Sequence, residues 1–135
     1  MSFVDNEEIK TALIAELKSR TAITSLLDSA NEIKEVQYQG DTFKYPAVRV
    51  RIIDNVPVGN TGCYHKITLG IQVNSQLDSS KEAEQISGII GHELHEACFS
   101  SVGVAFIMRI TNLVPALRVD KLTWRSEALF TAIVS

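Results

Sequence analysis

Apolar residues recur at helical spacing near the start of the chain. Ile9, Leu13 and Leu17, helped by Ala12 and Ala15, form a stripe, and Glu16, Lys18 and Arg20 lie off it. That period predicts an amphipathic helix. Asp5 followed by Glu8 supplies the acceptor-and-acid pattern that starts one. Thr21 opens a second short turn, TAITSLL, with Ile23, Leu26 and Leu27 apolar, ending near Asp28.

The period then changes to two. Residues 32–39, EIKEVQYQ, read as a short, mostly polar strand, and GDTFKYP after them reads as a turn. In AVRVRIID (47–54), Val48, Val50 and Ile52 share one face, and Arg49 and Arg51 point to the other. Residues 55–62, NVPVGNTG, predict a loop or the tip of a long hairpin. Ile67, Leu69, Ile71 and Val73 then alternate with Lys66, Thr68, Gly70 and Gln72, the most regular strand pattern of the chain.

Ser79 with Glu82 predicts a second capped helix, running to about Ser100. Its inner stripe is Ala83, Ile86, Ile90, Leu94 and Ala97, and its outer face carries Lys81, Glu82, Glu93 and Glu96. Gly88 and Gly91 each cost such a helix about 1 kcal/mol relative to Ala and are best tolerated beside another backbone. Gly103 ends the pattern, VAFIMRIT (104–111) is a strand, residues 113–121 with Pro115 are a connector, and LTWRSEALFTAIVS (122–135) is a long closing strand. The order α-β-β-β-α-β-β predicts one α+β domain over residues 1–135, a mostly antiparallel four- to five-stranded sheet packed with two main helices.

The closing strand sets the expectation about partners. Trp124, Ser126, Ala128, Phe130, Ala132 and Val134 fall on one side, and Arg125, Glu127, Leu129, Thr131 and Ile133 on the other. Beyond Glu127 neither side is properly polar, and a strand apolar on both faces is normally covered on both. Two helices leave little chain for a second layer, so contact with another copy is expected to supply it. Helices on opposite faces of the sheet are the self-sufficient alternative.

Composition narrows the function class. A chain of 135 residues and 14.9 kDa is one domain, and 45% hydrophobic with 21% charged residues excludes a disordered or linker protein. No apolar run is long enough to span a membrane, and the acidic start MSFVDNEEIK lacks the pattern of an export signal. Two cysteines, Cys63 and Cys98, point to synthesis in a reducing cytoplasm, and a net charge of −3 argues against a specific nucleic-acid binder. The charge is unevenly spread. Residues 77–98 hold five acids and one base, whereas residues 46–76 hold one acid and three bases. Opposite potentials on one subunit suit head-to-tail association with further copies.

Candidate chemistry is sparse. HELHE (92–96) superficially resembles a zinc-protease motif, but His92 and His95 are three residues apart where that motif needs four. With Glu93 or Glu96, and His65 or Cys63 as a third ligand, they are candidate metal ligands of a metal-dependent enzyme. The alternative is a solvated helix face with two ordinary histidines. No nucleophile elbow, triad or phosphate loop is present, so the chain is not expected to be an enzyme or to need a cofactor. Arg49, Arg51, Arg109 and Arg125 are candidates for binding an acidic partner or are solvated strand positions, and Trp124 is an interface anchor or a core residue.

ALIAELKSRTAITSLL (12–27), PAVRVRI (46–52), ITLGIQVNSQ (67–76), SSKEAEQISGIIGHEL (79–94) and WRSEALFTAIV (124–134) together resemble the small tail-completion, or tail-terminator, proteins of tailed bacteriophages. The resemblance covers most of the chain and is one of pattern and order. It implies a structural virion protein, made in the host bacterial cytoplasm. Such a protein forms a homo-oligomeric ring, usually a hexamer, that caps the tail tube and meets the head–tail connector. It also implies contact surfaces. The segment from Asp54 to Gly62, with Asn55, Val58 and Asn60, would reach towards a neighbour or the tube. Arg49, Arg51, Arg109, Trp124, Arg125, Leu129 and Ile133 would line the sheet contact. A generic α+β protein-binding module is the remaining alternative.

Overall fold

A computed structural model describes residues 4–27, 32–36, 45–58, 64–76 and 79–135. The chain runs α1 (Asn6–Ser19), α2 (Thr21–Thr24), β1 (Ile33–Glu35), β2 (Ala47–Val58), β3 (Tyr64–Ser75), α3 (Lys81–Leu94), β4 (Cys98–Ser101), β5 (Val104–Arg118) and β6 (Trp124–Val134). Its strands form one six-stranded sheet in the order β1-β2-β3-β6-β5-β4. None of the described helices is long and apolar enough to cross a membrane.

Helix α1 starts where the capping pattern puts it. The Asp5 carboxylate accepts from the Glu8 backbone N–H at 2.8 Å, and Glu7 and Glu8 place negative charge in the first turn. Asp5→Ala is expected to cost about 1 kcal/mol in urea unfolding. A change under about 0.3 kcal/mol would mean that the cap is frayed in solution. The stripe Ile9, Ala12, Leu13 and Leu17 is fully buried.

Both long helices cover the same face of the sheet. From β2, β3, β6 and β5 respectively, Val50, Ile71, Ala128 and Leu113 line up across it in register, as do Ile52, Leu69, Phe130 and Ile110 in the next row. Helix α3 lies over β3, β5 and β6, and α1 packs against β1, β2, β4 and β5. Gly91 sits where α3 crosses β5, and a Cβ there would stand 2.9 Å from the Ile110 side chain, so the glycine lets helix and strand approach. The Ser126 hydroxyl donates to the Ala83 carbonyl at 2.8 Å, tying β6 to the first turn of α3.

The α+β class is as expected, but the predicted sheet is corrected in three ways. The sheet has six strands and is mixed, because β1 runs parallel to β2 while the other four pairings are antiparallel. The second helix stops at Leu94, short of Ser100, and Glu96 beyond it has φ +58°, the left-handed conformation that ends helices. Cys98–Ser101 leaves that predicted helix to become β4, joined to β5 by a two-residue turn with φ +48° at Val102 and +76° at Gly103. Positive φ at both central residues matches the twist of the flanking strands, which Val102 adopts against its side-chain preference.

The third correction concerns residues 113–121, expected as a connector. Strand β5 continues to Arg118, and its register against β6 shifts between Ile110 and Asn112 and again between Val114 and Leu117. The second irregularity takes up Pro115 and Ala116, where a residue without an N–H costs no ladder bond. The start of α3 also differs from expectation. Ser80 is its N-cap without a side-chain hydrogen bond, and Glu82 instead accepts from the Ser75 hydroxyl at 2.7 Å.

Candidate assembly surface

The sheet face away from the helices carries the alternate residues. In β6 these are Arg125, Glu127, Leu129, Thr131 and Ile133, so the two sides of the closing strand differ in cover: Phe130 is fully buried and Ile133 is 38% exposed. Pairing places Val56, Lys66, Ile133, Ile107 and Cys98 in one row across the open face, with Ile107 56% exposed. The next row holds Asp54, Thr68, Thr131 and Arg109. A mainly apolar row broken by Lys66, beside a polar row with one acid and one base, is thus left to solvent or to a partner.

Charge in the middle of this face is internally matched. The Arg51 guanidinium forks onto the Glu127 carboxylate at 2.6 and 2.7 Å, which raises the Arg51 pKa above the ordinary arginine value chiefly through those hydrogen bonds. Gly70 of β3 lies between β2 and β6 at this level, and its missing side chain leaves room for the pair. Arg49 is buried and donates to the Glu32 carbonyl at 2.6 Å, holding the entry to β1.

The four arginines therefore do not form one cluster. Arg49 and Arg125 line a polar cleft of about 220 Å³ with Gln72, Asn74, Thr123 and Asp120. There Arg125 donates to Asn74 at 3.0 Å. Asp120 accepts from the Leu122 and Thr123 N–H groups at 2.8 Å each, and these bonds, led by the Leu122 N–H, lower its pKa from the ordinary aspartate value. Arg51 is in the fork described above, and Arg109 stands exposed further along the face. Trp124 packs half-buried against the core on the helix side, with the Arg118 guanidinium 5.2 Å from its ring centre.

The end of the β2–β3 hairpin is tied to the start of α1. Asn55 donates to Asn6 at 2.8 Å and accepts from His65 Nδ1 at 2.8 Å, while His65 Nε2 accepts from the Val4 N–H at 3.3 Å. His65 is fully buried and bridges two elements in its Nδ1-protonated tautomer. Its place in the apolar-side register of β3 was the only sequence signal for this role. Asp54 and Val58 lie on the open side of β2, whereas Asn60, Gly62 and Cys63 fall outside the described residues.

Of the other two histidines, His95 serves the far edge of the sheet. His95 Nδ1 accepts from the Ile110 N–H at 3.3 Å, and Glu84 accepts from the Ala116 N–H at 3.1 Å, so two side chains satisfy N–H groups along the exposed edge of β5. His92 is exposed in the last turn of α3. Among the described residues no three His, Cys, Asp or Glu side chains gather to hold a metal ion.

Where β5 leaves α3, a cleft of about 230 Å³ opens between them, lined by Glu84, Ser87, Leu113, Val114, Pro115 and Ser126. The Ser87 hydroxyl is buried in its wall and finds no hydrogen-bond partner among the described residues. Leu113 and Leu117 are 48% and 64% exposed at its rim and beyond it. Periodicity could not have found this feature, because Leu113, Val114 and Pro115 of its lining lie in the segment expected as a connector.

No family model matches the chain, and no curated protein sequence does. The fold does have a counterpart among solved structures. A chain in the virion of a native gene transfer agent particle superposes with a TM-score of 0.76 at 15% sequence identity, and the match covers 98% of each chain. What this protein shares with that virion chain, at such low identity, is its fold over nearly the entire length.

Proposed function

We propose that this chain is a structural protein of a phage-like virion, and that its copies associate into a ring, as in a hexamer, that caps the tail tube and joins tail to head connector. The observation that carries the reading is the uncovered sheet face, with Ile107 and Ile133 adjacent in register and both exposed, on a domain whose two long helices are spent on the opposite face. The virion chain of the same fold supports the setting. The sequence pattern shared with tail terminators supports the position at the tube end. The partners in this reading are further copies of the chain, the tube protein and the connector protein, with no catalysis required.

Sedimentation velocity and native mass spectrometry from micromolar to millimolar concentration test association, and electron microscopy with purified tail tubes tests the cap. Association into a closed species, or decoration of tube ends, is the expected result. A monomer throughout that leaves tube ends bare would overturn the reading.

A further inference from the structure

We infer that the polar cleft on the open sheet face receives an aspartate or glutamate side chain of a partner polypeptide, with Arg125 as its counter-charge and Gln72 and Asn74 as hydrogen-bonding walls. The inference stands apart from the ring reading. Strand register builds the site. Asn74 of β3 pairs with Arg125 of β6, which pairs with Leu117 of β5, and the next row on the same face holds Gln72, Glu127 and Val114. Gln72 and Asn74 are only 8% and 4% exposed, yet both line the cleft. Among the described residues the Gln72 side-chain amide has no hydrogen-bond partner, and Asn74 uses only its side-chain oxygen, which accepts from Arg125 Nε. A mostly buried amide without a partner is costly, and a ligand in the cleft recovers that cost.

The charge left over here is a single cation. Arg51 is taken up by Glu127 and Arg49 by the Glu32 carbonyl, whereas no carboxylate among the described residues forms an ion pair with Arg125. Asp120 on the cleft wall already accepts from two backbone N–H groups through Oδ1. A monoanion matches one cation beside that carboxylate, and a phosphate dianion brings excess negative charge against Asp120. Asn74 holds Arg125 by its Nε alone, which leaves the Nη groups for a carboxylate.

Two features select a polypeptide over a free small acid. The Gln72 amide carries an acceptor as well as a donor, which a backbone N–H satisfies and a bare carboxylate does not. A second groove of about 240 Å³ shares Gln72, Val119 and Arg125 with the cleft and adds Val114 and Leu117. Leu117 and Val119 are 64% and 44% exposed there, so an apolar side chain next to the acid gains cover and gives it.

Titration of the isotope-labelled chain with an N-acetylated glutamyl-leucine amide, followed by NMR, reads the site directly. The side-chain amide signals of Gln72 and Asn74 and the Nε–H signal of Arg125 are expected to shift together and saturate, with a dissociation constant on the order of 1 mM. The glutaminyl-leucine counterpart and acetate are each expected to bind about tenfold more weakly or worse. Arg125→Gln, at an exposed position, is expected to weaken the glutamyl peptide about tenfold with the melting temperature unchanged. Gln72→Leu is expected to weaken it too while leaving the melting temperature unchanged or higher, a split that a purely structural glutamine would not produce.

No saturation below about 10 mM peptide, equal affinity for the glutaminyl peptide, or undiminished binding by Arg125→Gln overturns the inference. Acetate binding as tightly as the glutamyl peptide also overturns it, because the cleft then takes any small carboxylate. None of these outcomes bears on self-association or tube capping, so the ring reading stands or falls on its own experiments.

Discussion

Phe130→Ala is expected to lower the unfolding free energy by about 4 kcal/mol, the middle of the range for a buried aromatic truncation. Phe130 is fully buried on β6, a central strand, flanked in register by Leu69 of β3 and Ile110 of β5. The ladder bonds on both sides hold the three strands at their spacing, so they cannot close on the space the ring leaves. Helix α3, which packs on the same three strands, is anchored at its first turn by the Ser126 hydroxyl. The lost transfer energy and the residual cavity therefore add. Urea unfolding should show a lower midpoint at an unchanged slope, and Phe130→Leu should recover most of the loss. A cost below about 2 kcal/mol for the alanine variant would mean that the helices settle into the gap and that the core is more adaptable than its packing indicates.

Gly70→Val is expected to cost about 3 kcal/mol, although valine favours strands and Gly70 needs no unusual backbone angle. A Cβ at this position would stand 2.9 Å from Glu127 Cδ and 3.2 Å from Arg51 Nε. The Glu127 side chain is only 11% exposed and is held by both arms of the Arg51 fork, so it cannot move aside without losing that fork. The cost combines overpacking with a carboxylate left under-paired in a mostly buried site. It is kept below the full buried-pair penalty because the Arg51 side chain is 39% exposed and screened by water. A double-mutant cycle isolates the cause. In a Glu127→Ala background, Gly70→Val should be close to neutral, giving a coupling of about 3 kcal/mol. Additive effects would show that the glycine serves something other than room for this pair.

The parts of the fold legible in the residue pattern are those where one flank is buried along an entire element. Ile67, Leu69, Ile71 and Val73 are all fully buried, and so are Ile9, Leu13 and Leu17 of α1. The misread parts lie at the sheet edges. Along β5, Phe106 and Met108 are buried, but beyond the first bulge Leu113 and Leu117 are exposed, so alternation fades while the strand goes on. Cys98–Ser101 follows a helix with apolar residues at compatible spacing, and only the left-handed turn at Glu96 separates the two elements. Edge strands bury little, and burial is what writes periodicity into a chain.

The candidate surface was visible in outline. The unequal charge of helical and strand segments and the apolar residues on both flanks of the closing strand were already present as linear pattern. Which residues meet was not. Arg51 finds Glu127 76 positions away, and Arg49 is consumed in holding the entry to β1 instead of joining an arginine cluster. Asn55 and His65 together anchor the hairpin to the start of α1, which neither residue type announces.

By itself, then, the order of residues determined the α+β class, the capped first helix, the central strands and which of their side chains face inward, because each follows from backbone geometry repeated over a few residues. Only the tertiary structure decided that both long helices lie on one side, that a short parallel strand makes the sheet mixed, and that β5 runs on through two irregularities with a cleft between it and α3. Those outcomes depend on contacts between segments far apart in the chain, whose free energy no local period records.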